Sequence, residues 1–177
     1  MNADPLPALP ALRSLGNLAE CKPVIVVDSR EQLPLAFTRL ASVRAGLNAG
    51  DYSFRGGETL FGVERKSIQD LVGCCTGANR ERFERELIRL RGYRFKRLLV
   101  IGERADVAAQ RYRGSVSPKA VLATLAAFEA RYDVPVVWCP TPEAGALQVE
   151  SWAWWYSREV VKAANGLLAG GVGQTSG

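Results

Sequence analysis

LFGVERKSIQDL, from Leu60 to Leu71, carries three successive charges, Glu64, Arg65 and Lys66, within a run that otherwise predicts a buried β-strand. Burying a charged side chain is costly unless the charge is paired, hydrogen-bonded or bound to a metal. The charges therefore need a chemical partner, and that requirement predicts a functional site on this strand.

A β-hairpin is predicted just upstream, because Gly56-Gly57 separates two β-like runs. A turn centred on these glycines places Asp51 opposite Gly62, with Glu64 as the diagonal neighbour of Asp51 at roughly 7–8 Å between backbones. Side chains alternate along a strand, so Glu64 and Lys66 point to one face and Arg65 to the other. Two carboxylates in this arrangement can reach one cation between them.

The remaining pattern predicts an α/β fold with a mixed central β-sheet flanked by α-helices. Further strands are predicted at 24–27, 96–102 and 134–139, and helices at 79–91, 117–132 and 141–164. The strand–helix–strand unit from Arg97 to Cys139 is expected to be parallel, with a right-handed crossover. Residues 1–22 are predicted to be a flexible Pro-rich arm, 23–165 one folded domain, and 166–177 a flexible Gly-rich tail.

The amino-acid composition excludes several classes of active site. The chain has 177 residues and no histidine, which excludes mechanisms that need an imidazole base. Its four cysteines form no paired C-x-x-C sets, so neither a zinc site nor a disulfide framework is expected. No apolar run is long enough to span a bilayer and the N-terminus has no basic leader, so a cytoplasmic protein without a membrane partner is expected.

The charge pattern points weakly to nucleic acid. Lys and Arg number 23 against 18 Asp and Glu, and the planar fork of arginine suits phosphate. Arg82, Arg85 and Arg89 fall on the outer face of the second predicted helix, which makes them candidate DNA-binding residues. The alternative is a solvated helix face on which they bridge to Glu81 and Glu86.

The hairpin constellation suits metal-assisted hydrolysis of a phosphodiester. The carboxylates of Asp51 and Glu64 can hold Mg²⁺, which polarises a phosphoryl group and lowers the pKa of a bound water. Lys66 can orient that water or neutralise charge in the transition state. The alternative for Glu64 and Lys66 is an exposed ion pair on a strand face.

Three motifs together resemble a known family. VDSRE (27–31), GDY (50–52) and VERKSIQDL (63–71) resemble the nuclease domain of the XPF-type (xeroderma pigmentosum group F/Mus-type) structure-specific endonucleases. That group belongs to the PD-(D/E)xK superfamily and carries an E-R-K-x-x-x-D signature. The resemblance covers about residues 24–164, in the family's order. It implies a restriction-endonuclease-like fold and an Mg²⁺-dependent DNA endonuclease, with Mn²⁺ able to substitute. The substrates it implies are branched, flapped or forked DNA in repair or recombination.

The resemblance also implies roles for individual residues. The family's metal-binding acids fall on Asp51 and Glu64, with the backbone carbonyl of Arg65 as a further ligand. The catalytic lysine falls on Lys66.

Other motif positions carry over less directly. Asp28 corresponds to the family's upstream acid, near or at the metal, and Arg30 and Arg65 match arginines that contact phosphate. Asp70 matches the last acid of the signature. It also completes a capping pattern with Ser67 that predicts a helix beginning at about Ser67.

One departure from the family leaves alternatives open. Many members follow the nuclease domain with a tandem helix-hairpin-helix module, whereas a short Gly-rich tail follows Ala164 here. This suggests a compact bacterial form, nucleoid-associated, or a phage-encoded one. The alternatives to an active endonuclease are a catalytically inactive DNA-binding or scaffold subunit and a nickase of the same fold. Retention of Asp51, Glu64 and Lys66 argues against the inactive subunit.

The last predicted helix carries a cluster of tryptophans. Trp152, Trp155, Tyr156 and Val160 form one stripe at helical spacing that can bury against the domain. Trp154 then lies outside the core and predicts a homodimer interface anchored by this helix, as in XPF-type domains that pair through their later helices. The alternative is that Trp154 packs under the N-terminal arm.

Overall fold

The computed structural model describes residues 22–171, with side chains to residue 167. The strands are β1 (Ile25–Asp28), β2 (Ser42–Ala45), β3 (Tyr52–Phe54), β4 (Phe61–Ser67), β5 (Phe95–Ile101) and β6 (Val136–Cys139). The helices are α1 (Ile68–Gly73), α2 (Gly77–Arg91), α3 (Arg104–Ala108), α4 (Pro118–Tyr132) and α5 (Pro142–Gly171). No helix within the described residues is long and apolar enough to cross a membrane.

The strands form one mixed sheet in the order β2-β1-β3-β4-β5-β6. β3 runs antiparallel to both β1 and β4, while β1 and β2, β4 and β5, and β5 and β6 pair in parallel. The predicted mixed sheet and the predicted parallel pairing of β5 with β6 are therefore confirmed.

The two faces of the sheet are covered by different helices, because side chains alternate along the central strands. Val63 and Leu99 belong to a core shared with α5, whereas Leu98 and Val100 pack with residues of α2 and α4. Every one of these four side chains is at most 1% exposed. The middle of β5 and the first part of β4 are thus buried on both faces, whereas the end of β4 and the start of β5 are partly exposed.

The hairpin register differs from the prediction by two residues. Tyr52 pairs with Val63, so Asp51 comes next to Glu64 rather than opposite Gly62. The turn is longer than a tight turn at Gly56-Gly57, since the N–H groups of Leu60 and Phe61 both donate to the carbonyl of Gly57. The extra turn residues shift β4, and they bring the two acids closer together than expected.

Two elements were not predicted and one is longer than predicted. β2 is an edge strand whose residues are mostly exposed, so it carries no apolar pattern, and α3 has only five residues. α5 continues to Gly171, beyond the expected end near Ala164, so 166–171 belong to the helix. The arm at 1–21 and the last part of the tail, 172–177, lie outside the described residues.

The tryptophans on α5 follow the prediction in part: Trp152 and Tyr156 pack against the core as expected, whereas Trp154 and Trp155 exchange the predicted places. The fully buried Ala153 faces the sheet, and its neighbours Trp152 and Trp154 flank it and pack partly against the core. Trp155 lies on the opposite side of the helix and is 59% exposed. The small side chain at 153 lets the helix approach the sheet closely, which turns Trp155 rather than Trp154 outward.

Candidate active site

The start of β3 and the end of β4 meet beside a cavity of about 290 Å³. Asp51 and Lys66 line this cavity together with residues of α1 and α2. Glu64 is buried and is not a lining residue, but it forms an ion pair with Lys66. The sheet therefore brings together the three residues that were predicted to carry the chemistry.

Asp51 is fixed by the backbone of β4. Its N–H donates to the carbonyl of Val63 at 2.8 Å, and its Oδ2 accepts from the N–H of Arg65 at 2.7 Å. Gly50 precedes it with φ +76°, and a Cβ at that position would lie 3.0 Å from the Val63 carbonyl oxygen. Only glycine allows the chain to approach β4 this closely without strain.

Glu64 and Lys66 form an ion pair in a site with little access to solvent. Glu64 is 4% exposed and accepts a hydrogen bond from the Nζ of Lys66. The same Nζ lies 3.7 Å from Glu86 on α2 and 5.1 Å from the centre of the Phe83 ring. The pair is therefore not the exposed ion pair on a strand face that was the alternative prediction.

Both acids of the site have pKa values above their ordinary range. Burial raises the pKa of Glu64, and the neighbouring Asp51 charge raises it further. Burial also raises the pKa of Asp51, although the hydrogen bond from Arg65 opposes this. For Lys66, burial lowers the pKa, but the charge of Glu64 outweighs it and leaves the pKa raised. A bound cation would stabilise both carboxylates in their ionised forms.

The residues present fit a hard divalent cation. Within 22–171 no group of three or more His, Cys, Asp or Glu side chains is arranged to hold a metal ion. Mg²⁺, however, commonly takes only one or two carboxylates and completes its shell with waters and substrate phosphate. Two adjacent carboxylates with raised pKa values supply that donor set.

Asp28 and Arg30 form a hydrogen-bonded pair at the end of β1. The carboxylate of Asp28 accepts from the backbone N–H, Nε and Nη2 of Arg30 and from the N–H of Leu47. Burial tends to raise its pKa, but these hydrogen bonds outweigh it and leave the pKa lowered. Asp28 does not line the cavity. Its oxygens organise the loops after β1 and β2, and its placement near or at the metal stays a prediction.

Glu31 is a site residue that the sequence reasoning did not single out. It lines the cavity, and its Oε1 lies 3.0 Å from the Nη2 of Arg65. The guanidinium of Arg65 thus pairs with Glu31, while Lys66 pairs with Glu64, and Arg65 and Lys66 both line the cavity. The position of Glu31 at the end of VDSRE was the available signal, but its pairing depends on the order of β1, β3 and β4.

The helix-face arginines remain available for a ligand. Arg82, Arg85 and Arg89 are exposed on α2, and within the described part of the chain none of them forms an ion pair within 4.0 Å. Arg82 also lines the cavity. The predicted alternative was a solvated helix face bridged to Glu81 and Glu86: the three arginines are exposed as it expects, but Glu86 pairs with Lys66 and no ion pair joins them to Glu81 within the described residues.

The capping prediction is confirmed at the mouth of the cavity. The Oγ of Ser67 accepts from the N–H of Asp70 at 3.1 Å and donates to its Oδ2 at 2.7 Å. Ser67 is the N-cap of α1, and Asp70 lies at the cavity rim.

Comparison with known proteins gives a family and a fold. The sequence profile of the ERCC4 domain matches residues 27–150. The structure is similar to XPF from Aeropyrum pernix, with 22% identity, a TM-score of 0.60, and coverage of 81% of this chain and 69% of that one. It is also similar to XPF from Aeropyrum pernix in complex with DNA, with 24% identity, a TM-score of 0.61, and coverage of 78% and 66%. No curated protein matches in sequence. The fold is thus the restriction-endonuclease-like α/β fold of the XPF nuclease.

Proposed function

The chain belongs to the ERCC4 domain family and contains an XPF-type nuclease domain, and from that premise we propose that it is a metal-dependent DNA endonuclease. The observation that carries the proposal is the meeting of Asp51 and Lys66 at one cavity, with the buried Glu64 ion-paired to Lys66. The proposed cofactor is Mg²⁺, with Mn²⁺ as a substitute.

Each residue has a part that follows from its surroundings. Asp51 and Glu64 would hold the cation, and the carbonyl of Arg65 would be a further ligand. The bound cation would polarise the scissile phosphate and lower the pKa of an attacking water. Lys66 would neutralise the negative charge that develops on the phosphate oxygens during attack. The guanidinium of Arg65, at the rim, would contact a neighbouring phosphate.

DNA is the proposed substrate, and the DNA complex of the Aeropyrum pernix relative supports it. The exposed face of α2 carries Arg82, Arg85 and Arg89, none of which is ion-paired within residues 22–171, and Arg82 lines the cavity. These would follow the sugar–phosphate backbone without reading sequence. We propose branched, forked or flapped DNA, in repair or recombination, as the preferred substrate.

A homodimer through α5 is the proposed assembly. The exposed Trp155 is the anchor, with Val160 exposed on the same helix. An indole on the surface is a typical hot-spot residue of protein interfaces.

The test is a cleavage assay on end-labelled duplex, fork, flap and four-way junction with Mg²⁺, Mn²⁺ or EDTA. We expect cleavage of branched substrates with either metal and none in EDTA. Binding without cleavage under all metal conditions would favour an inactive DNA-binding or scaffold subunit. Cuts confined to one strand of plain duplex would favour a nickase.

A further inference from the structure

Lys66 is held by two separate elements of the fold. From its own strand, Glu64 accepts a hydrogen bond from its Nζ. From α2, Glu86 lies 3.7 Å from the same Nζ, and the ring of Phe83 lies 5.1 Å away. Phe83 and Glu86 are three residues apart, so they share one face of the helix.

A bound metal would weaken the contact of Lys66 with Glu64 but not its contact with Glu86. Glu64 is a proposed metal ligand, and a carboxylate that binds a cation directly has less negative charge to offer a neighbouring ammonium. Lys66 has a side chain that is only 18% exposed, so it cannot exchange this partner for bulk water without moving. A charged ammonium left unpaired in such a place is strongly disfavoured.

We propose that Glu86, which lies outside the E-R-K-x-x-x-D signature, is a positioning residue that holds Lys66 when Glu64 binds the metal. The proposal rests on the proposed metal-dependent function. Glu86 keeps Lys66 from competing with the cation for Glu64, and it keeps the Nζ at the phosphate. Phe83 also helps to hold Lys66, since an ammonium group is attracted to the face of an aromatic ring.

Direct metal binding by Glu86 is the main competing role. Its side chain is 27% exposed and lines the cavity, but its ionic contact is with Lys66. A direct ligand would affect metal affinity whether or not Lys66 is present, whereas a positioning residue acts only through the lysine. A double-mutant cycle separates these two roles.

The cycle compares the wild type with Glu86→Ala, Lys66→Met and the double variant, and measures Mn²⁺ affinity by calorimetry without DNA. We expect Glu86→Ala to weaken Mn²⁺ binding by about fivefold or more in the wild-type background and by less than about twofold in the Lys66→Met background. Glu86→Gln should recover part of the affinity, because its amide oxygen still accepts from Lys66. Glu84→Gln is the matched control, since Glu84 lies on the same helix but pairs with Arg80.

A kinetic readout follows on the same variants. Glu86→Ala should lower kcat by about tenfold while leaving KM for DNA within about threefold, because the lysine acts in the transition state. Glu86→Ala should keep the thermal midpoint of the wild type within a few degrees, since alanine is a good helix former and Lys66 still pairs with Glu64.

An equal loss of Mn²⁺ affinity in both backgrounds would overturn the proposal and make Glu86 a metal ligand or a general source of negative charge. Unchanged affinity and unchanged kcat in Glu86→Ala would overturn it as well. If the wild type binds Mn²⁺ but does not cleave DNA, the endonuclease function fails while the cycle still decides the role of Glu86.

Discussion

The backbone N–H of Arg65 donates a 2.7 Å hydrogen bond to the carboxylate of Asp51. This bond joins the start of β3 to the end of β4, and it fixes one Asp51 oxygen against the strand that carries Glu64. Glu64 is thereby held by a strand, and Asp51, in the bend just before β3, is tied to that strand by its hydrogen bonds; rigid elements place catalytic groups more precisely than loops do.

The raised pKa of Glu64 predicts a pH-dependent stability. Burial, followed by the charge of Asp51, raises this pKa from 4.5 to about 8. The folded state then holds the proton more tightly than the unfolded state, so ionisation destabilises the fold as pH rises from about 4.5 to about 8. In EDTA, the thermal midpoint of the wild type should therefore fall relative to that of Glu64→Gln as the pH rises across this range. A midpoint difference that does not vary with pH would contradict the assignment.

Lys66→Met is expected to lower turnover rather than binding. Methionine retains much of the aliphatic side chain but removes the charge that the transition state needs. We expect kcat to fall by roughly a hundredfold, with DNA affinity within about threefold of the wild type. Lys162→Met, at an exposed ion pair on α5, is the control and should behave as the wild type. A parallel loss of affinity and turnover would instead assign Lys66 to substrate binding.

Neutralising the α2 arginines should weaken DNA binding generally. Each phosphate contact adds about 0.9 to the steepness with which log K for duplex DNA falls with log salt concentration. In the triple variant Arg82→Gln, Arg85→Gln and Arg89→Gln, this slope should therefore become shallower by about one to three. Anisotropy titrations over a range of salt concentrations on two unrelated sequences measure this. Arg158→Gln on α5 serves as a control away from the cavity. An unchanged slope would show that this face does not contact the phosphates.

The sequence predicted the site better than it predicted its geometry. Charges within an apolar strand marked Glu64 and Lys66, and the capping pattern at Ser67 correctly placed the start of α1. The register was wrong because a turn's length depends on hydrogen bonds around Gly57 that no local pattern displays. Nothing in the sequence placed Glu86 beside Lys66, because that contact depends on how α2 packs against β4.

The prediction for Trp154 and Trp155 on α5 failed for a similar reason, because it depended on tertiary packing. Hydrophobic size favoured a stripe containing Trp152 and Trp155, but close packing against the sheet selected the small Ala153 for the centre. Helical periodicity shows which side chains share one side of a helix, but it does not determine which side faces the core.

Trp155→Glu is expected to produce monomers. The side chain is 59% exposed, so the substitution should leave the fold of the monomer intact while placing a charge in the proposed interface. Sedimentation at micromolar concentration should show a dimer for the wild type and for Lys162→Glu, a control on the same helix. A wild-type protein that sediments only as a 19.3 kDa species would contradict the assembly.

Cleavage of a labelled flap substrate by Asp51→Asn and Glu64→Gln, in Mg²⁺ and against the wild type, tests the central claim most directly. The claim is that these two carboxylates hold the metal on which hydrolysis depends. Each variant should keep its circular dichroism spectrum and lose at least roughly a hundredfold in rate, because metal stabilisation of the transition state is worth several kcal/mol. Glu159→Gln, an exposed carboxylate on α5, should cleave as the wild type does. Cleavage by both site variants within a few-fold of the wild-type rate would contradict the account.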